Sequence, residues 1–137
     1  MKKIGIYPGT FDPMTNGHIN IIKRSLKIVD KLIIGIANNL NKKPLLSLSE
    51  RKKIILKDID SNDINFKNIK IYPVQGLLTD FAKKHHANCI IRGLRAVSDF
   101  EYEFQMTGMN YQLNPSLETI FLMSADNNSF ISSNLVK

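Results

Sequence analysis

Five short apolar runs recur along the 137-residue chain with helix-like stretches between them, and this alternation constrains the fold most. The runs are Lys3–Tyr7, Leu32–Ala37, Ile69–Val74, Asn88–Arg92 and Glu118–Met123. Several are nearly continuous, the pattern of strands buried on both faces. The first helical stretch, Gly17 to Val29, places Ile19, Ile22, Leu26 and Val29 on one stripe. A second opens at Ser47, with Glu50 three residues on as a capping box, and runs to about Ile59. A third covers Thr79 to His86. A fourth opens at Ser98 with Glu101 as its capping partner and runs to about Tyr111; a fifth begins near Ser132 or Ser133. Strand-helix alternation predicts an α/β fold, a doubly wound, five-stranded parallel sheet with helices on both faces. The length predicts one domain over residues 1–137 with a proper core.

Composition narrows the class. Apolar residues make up 43% and charged residues 23%, as in globular proteins. No apolar run is long enough to span a bilayer. The start, Met-Lys-Lys-Ile-Gly-Ile, lacks a sustained apolar segment and a small-residue cleavage site, so it reads as mature sequence. Cys89 is the single cysteine, which excludes an intrachain disulfide framework and favours the cytoplasm. Nineteen Lys and Arg against 12 Asp and Glu give +7, a balance suited to a polyanion, either nucleic acid or a phosphorylated small molecule. Lys42-Lys43, Arg51-Lys52-Lys53 and Lys83-Lys84 are the densest basic pieces. The last two read as solvated helix faces. His85 and His86 lack metal-ligand spacing and also read as solvated.

In such sheets ligands bind beyond the carboxyl ends of the strands. Pro8-Gly9-Thr10-Phe11 follows the first strand and Asn38–Lys43 the second. Gln75–Leu78 follows the third, Arg92–Arg95 the fourth and Ser124–Ser133 the fifth. All five unusual clusters therefore fall on one edge. Gly9 permits close backbone approach or positive φ, and Thr10 puts a hydroxyl at the strand end. Thr15-Asn16-Gly17-His18 opens the first helix, where free N–H groups and the dipole attract phosphate. A histidine there is a phosphate donor, a cap or a surface residue. Arg92 and Arg95 carry guanidinium forks that match phosphate oxygens; their alternative is a surface ion pair with Asp99 or Glu101.

"GTFDP" followed by "TNGH" resembles the signature of the nucleotidyltransferase superfamily. "IRGLRAVSDFEYEFQM" and "FISSNLVK", in this order, resemble the phosphopantetheine adenylyltransferases in particular. The resemblance covers the whole chain and implies a Rossmann-like sheet. The implied reaction moves AMP from ATP to 4′-phosphopantetheine, giving dephospho-coenzyme A and pyrophosphate. The nucleophile is already a phosphate anion, so such a reaction needs alignment, donors and cations rather than a covalent nucleophile. By resemblance His18, Lys42 and Arg95 are catalytic. Thr10, Phe11, His18, Gly93, Leu94, Arg95 and Glu103 bind ATP, together with Asn128, Ser129, Phe130, Ile131, Ser132, Ser133 and Asn134. Thr10, Lys42, Leu78 and Arg92 bind phosphopantetheine.

The resemblance also implies Mg²⁺ held by ATP phosphates and water, with no protein metal site, coenzyme A as a feedback ligand, and a homohexamer with the fourth helix as a contact face. Asn134 stands where the family commonly has a third serine, and can cap or donate in its place. The family continues past the position of Lys137, so a missing C-terminal helical tail is expected. Rival readings are nicotinamide-nucleotide adenylyl or cytidylyl transfer, a catalytically dead relative, and a nucleic-acid-binding module. Thr15 and the Arg92–Arg95 segment oppose the first, and the intact His18, Lys42, Arg92 and Arg95 the second. The third has only the net charge behind it; neither nucleic acid nor membrane is expected as a partner.

Overall fold

The computed structural model describes residues 2–38, 43–95 and 97–123. Strands β1 (Ile4–Gly9), β2 (Lys31–Ala37), β3 (Ile69–Val74), β4 (Cys89–Leu94) and β5 (Glu118–Met123) form one sheet. They alternate with helices α1 (Asn16–Ser25), α2 (Leu48–Ser61), α3 (Leu78–Lys84) and α4 (Val97–Leu113). The strand order is β3-β2-β1-β4-β5 and every pairing is parallel. This is the doubly wound, Rossmann-like arrangement, whose order reverses between β1 and β4.

The reversal opens the sheet. β1 is in register with β2 from Ile4↔Lys31 to Gly9↔Ile36, but with β4 only at Gly5↔Cys89 and Ile6↔Ile90. Pro8, without an N–H to offer a ladder, lies beyond the last β1–β4 pair. The carboxyl ends of β1 and β4 therefore part.

Isoleucine fills both sides of the sheet. On one side Ile22 of α1 and Ile55 and Ile59 of α2 pack with Ile34, Ile36 and Ile91, within a cluster that excludes water. On the other, Phe81 and Ala82 of α3 pack on Ile6, Ile33 and Ile90. Each such side chain contributes about 1.5–3 kcal/mol when fully buried.

The helix boundaries follow local hydrogen bonds. Ser47 caps α2 as expected, accepting from Glu50 N at 3.1 Å while its own N–H donates to Glu50 Oε1 at 3.1 Å. The first helix is shorter than its apolar stripe. Ser25 Oγ donates to the Ile21 carbonyl at 2.6 Å, and the next N–H groups turn back three residues, Lys27 to Arg24 and Ile28 to Ser25. Val29 enters the core from that turn rather than from the helix. α4 already includes Val97, so Ser98 is a helical residue and not its cap. The expected helix at Ser132 or Ser133 lies outside the described residues.

Gly35 marks the tightest approach inside the sheet. A methyl group there would sit 2.6 Å from Val74 Cγ2, and a β-branched side chain has little freedom to turn away. Gly35→Ala should destabilise the fold by about 1–3 kcal/mol, measured as a lower urea midpoint. An unchanged midpoint would show that the β2–β3 spacing relaxes freely.

Candidate active site

The loop after β1 is built to hold its own shape. A Cβ on Gly9 would lie 3.0 Å from Phe11 Cζ, so only glycine lets the Phe11 ring fold back beneath the strand end. Phe11 itself has a left-handed backbone, φ 51, and is buried. The Asp12 carboxylate accepts from Leu45 N at 2.6 Å and Leu46 N at 2.9 Å, tying this loop to the turn before α2.

Thr15 then caps α1. Its Oγ1 accepts from His18 N, and its N–H donates to His18 Nδ1 at 2.9 Å. A nitrogen that accepts cannot carry the proton, so the neutral ring is protonated on Nε2. His18 is thus both the cap and a donor beside the helix mouth. The Phe11 ring packs edge-on against it at 5.0 Å, and Tyr7 meets Phe11 at 5.5 Å. Burial, and then the charge of Arg95, hold the His18 pKa below its usual value of 6.5. Burial pushes the Tyr7 phenol up to about 12, against the opposing charges of Arg92 and Arg95. Both rings therefore stay neutral donors at neutral pH.

The end of β4 faces them. Arg92 engages Glu103 of α4 with two nitrogens, Nε to Oε2 at 2.9 Å and a second bond to Oε1. Among the described residues the partner is Glu103 rather than the Glu101 of the surface-pair alternative, and the Asp99 side chain lies outside them. A Cβ on Gly93 would lie 3.3 Å from Ile21 Cγ1, so glycine lets β4 lie close to α1.

Between the two strand ends lies a cleft of about 1320 Å³. Thr10, Phe11, His18, Leu78, Arg92, Gly93, Arg95 and Glu103 all border it. Leu94 does not; it is a half-buried strand residue. Lys42 and the run from Asn128 through Ser129, Phe130, Ile131, Ser132 and Ser133 to Asn134 lie outside the described residues. Tyr7, Asp12 and Tyr102 also border the cleft and were not foreseen. Their sequence neighbours are too ordinary to mark them, although Asp12 lies within the motif itself.

Two basic readings are corrected. Lys52 and Lys53 are exposed, but Arg51 is buried, 2% accessible, with its guanidinium donating to main-chain carbonyls. Its spacing carried the signal: Arg51, Ile55 and Ile59 are four apart on one helix stripe. His85 is half-buried, stacked on Tyr72 at 4.9 Å and touching Phe81 at 4.4 Å. α3 ends there against β3, which gives its ring an aromatic surface.

Among the described residues no group of three or more His, Cys, Asp or Glu could hold a metal ion. Both carboxylates bordering the cleft are engaged, Glu103 with Arg92 and Asp12 with two amides. Cys89 is buried in β4 and burial raises its thiol pKa, so it is no nucleophile. The arrangement can bind anions and stabilise charge on them.

The cytidylyltransferase-like family model matches residues 6–137. A phosphopantetheine adenylyltransferase of Rhodospirillum centenum is 52% identical over 136 residues, which cover 99% of this chain and 74% of that relative. One from Coxiella burnetii is 50% identical over 137 residues, covering 100% of this chain and 83% of the relative. A solved bifunctional NMN adenylyltransferase/ADP ribose pyrophosphatase from Francisella tularensis, complexed with AMP and Mn ion, superposes with a TM-score of 0.68 at 21% identity. The match covers 93% of this chain and 39% of that one, and its likeness is one of fold alone.

The depressed His18 pKa has a sign. Between the folded value and the unfolded value near 6.5, the unfolded chain binds a proton that the folded chain does not. The stability from this group is full above about 6.5 and is lost as pH falls through the lower folded value. NMR titration of the ring should give a value below 6.5 with the proton on Nε2. Arg95→Ala should raise it only part of the way, because burial is the larger cause. A value at or above 6.5 would mean a solvated ring.

Proposed function

We propose, from the premise that this chain belongs to the phosphopantetheine adenylyltransferase family within the cytidylyltransferase-like proteins, how its residues divide the work of adenylyl transfer. The chain is a nucleotidyltransferase of coenzyme A biosynthesis. The phosphate of 4′-phosphopantetheine attacks the α-phosphorus of ATP in line. One P–O bond forms, the bond to the β-phosphate oxygen breaks, and dephospho-coenzyme A and pyrophosphate result.

The observation that carries the division is the Thr15–His18 bond. It fixes the donor on Nε2, beside the cleft and at a helix N-terminus, where charge on an α-phosphate would be met. Arg95 supplies positive charge next to it; burial and that charge keep His18 neutral, so it donates without exchanging its proton. Thr10 holds the attacking phosphate at the end of β1, with Phe11 forming the floor. Arg92, braced by Glu103, faces the same phosphate, and Leu78 borders the pantetheine arm. Gly93 and Leu94 carry the backbone beside the nucleotide. Lys42 neutralises the acceptor phosphate and residues 128–134 wrap the nucleotide in this reading; both lie outside the described residues.

Mg²⁺ would travel on the ATP phosphates, lowering their charge, since the cleft's own carboxylates are engaged. The reading includes a cytoplasmic enzyme, feedback by coenzyme A, and a homohexamer. Support for assembly comes from α4, where Phe104, Met109 and Tyr111 are exposed. No helix among the described residues is long and apolar enough to cross a membrane.

Pyrophosphate release should require both ATP and 4′-phosphopantetheine. His18→Ala should lower kcat by roughly 10²-fold or more, with a smaller change in the KM for ATP. A variant within about tenfold of wild type would remove His18 from the transition state.

A further inference from the structure

Arg51 is the buried cation to which the reaction above gives no role. It is 2% exposed on α2 and sends one nitrogen, Nη1, to two carbonyls at the ends of different strands. These are Thr10 O at 3.0 Å, just past β1, and Ala37 O at 2.9 Å, the last residue of β2. Thr10 and Ala37 both border the cleft. Among the described residues the buried Nε–H has no acceptor, and the ion pair there is Arg92–Glu103, so no carboxylate neutralises Arg51.

A buried charge without an ionic partner disfavours folding, and a neutral side chain of similar shape would fill the place at less cost. What a neutral apolar chain could not do is hold two carbonyls at the ends of separate strands at one distance. The helix is also tied to the same loop a second time, because Asp12 holds the Leu45–Leu46 turn that leads into α2. Thr10 thus sits between two anchors, a carboxylate on one side and a guanidinium on the other.

We propose that Arg51 is a positioning residue for the acceptor half of the site. It clamps the ends of β1 and β2, which sets where the Thr10 hydroxyl and Asn38, both at the cleft, meet the acceptor phosphate. Its charge, which no carboxylate among the described residues neutralises, adds to the field that draws that phosphate in. The acceptor assignment rests on the adenylyl-transfer reading; the clamp itself does not. Lysine keeps the charge, but its freely rotating ammonium lacks the planar Nη1 group whose two N–H bonds point in fixed directions at the two carbonyls.

Hydrogen exchange, substrate-binding calorimetry and steady-state kinetics on Arg51→Gln and Arg51→Lys test this. In Arg51→Gln, amides of residues 9–12 and 36–38 should exchange about tenfold faster or more, with β5 amides unchanged. The KM for 4′-phosphopantetheine should rise about tenfold and kcat fall, while the ATP dissociation constant stays within about threefold. Arg51→Lys should exchange as fast as the glutamine variant yet recover part of the acceptor affinity; it decides the matter alone if Arg51→Gln does not fold. Unchanged exchange at the two strand ends overturns the clamp. Equal loss of ATP and acceptor binding, with exchange faster throughout, assigns Arg51 to folding only and also overturns the proposal. If wild-type enzyme binds no phosphopantetheine, the adenylyl-transfer reading fails and the acceptor role with it, while exchange still decides the clamp.

Discussion

β1 has a parallel neighbour on each side, and the rest of the molecule depends on how it leaves them. It stays with β2 to its end but parts from β4 after Ile6. Chain connectivity forces that parting, because the crossovers run outward from β1 in one direction through β2 and β3, and in the other through β4 and β5. No strand fills the gap; it is bordered by loops that begin at the strands' carboxyl ends and by the helices they lead into, at His18, Leu78 and Glu103.

In the proposed reaction two anions meet in that gap, and mutual repulsion is the barrier a protein can lower most directly. The side chains around it are held before any substrate arrives. His18 is oriented by Thr15, Arg92 by Glu103, and the β1 loop by Asp12 on the Leu45–Leu46 turn. None of these contacts is long-range in the electrostatic sense; each is a short hydrogen bond that removes a rotamer. The apolar neighbours have a related part. Phe11 and Tyr7 exclude water from the His18 ring, and its neutrality follows from that exclusion more than from any charge.

Much of the fold was legible in the sequence because buried parallel strands write themselves as apolar runs. Ile69–Val74 and Glu118–Met123 match the expected bounds, and Ser47 with Glu50 marked the start of α2. Helix ends were less legible. Val29 kept the apolar rhythm while a serine side chain had already taken a backbone carbonyl. The cleft's lining was legible where residue type coincided with a strand end or a helix mouth, as at Thr10, Arg95 and His18. It was obscure where a residue acts through tertiary pairing. Glu103 lies eleven residues from Arg92, and Arg51 looked like its exposed neighbours Lys52 and Lys53 until the strand ends supplied carbonyl acceptors. Charge runs are read as solvated because most are, and a buried member is betrayed only by its step from Ile55 and Ile59.

The Thr15–His18 cap joins two tasks in one bond. One hydrogen bond both starts a helix and chooses which ring nitrogen carries the proton. First turns fray and re-form within nanoseconds to microseconds. Whenever the turn is closed, the same bond returns Nδ1 to the role of acceptor, so the tautomer is set by the fold and not by the substrate.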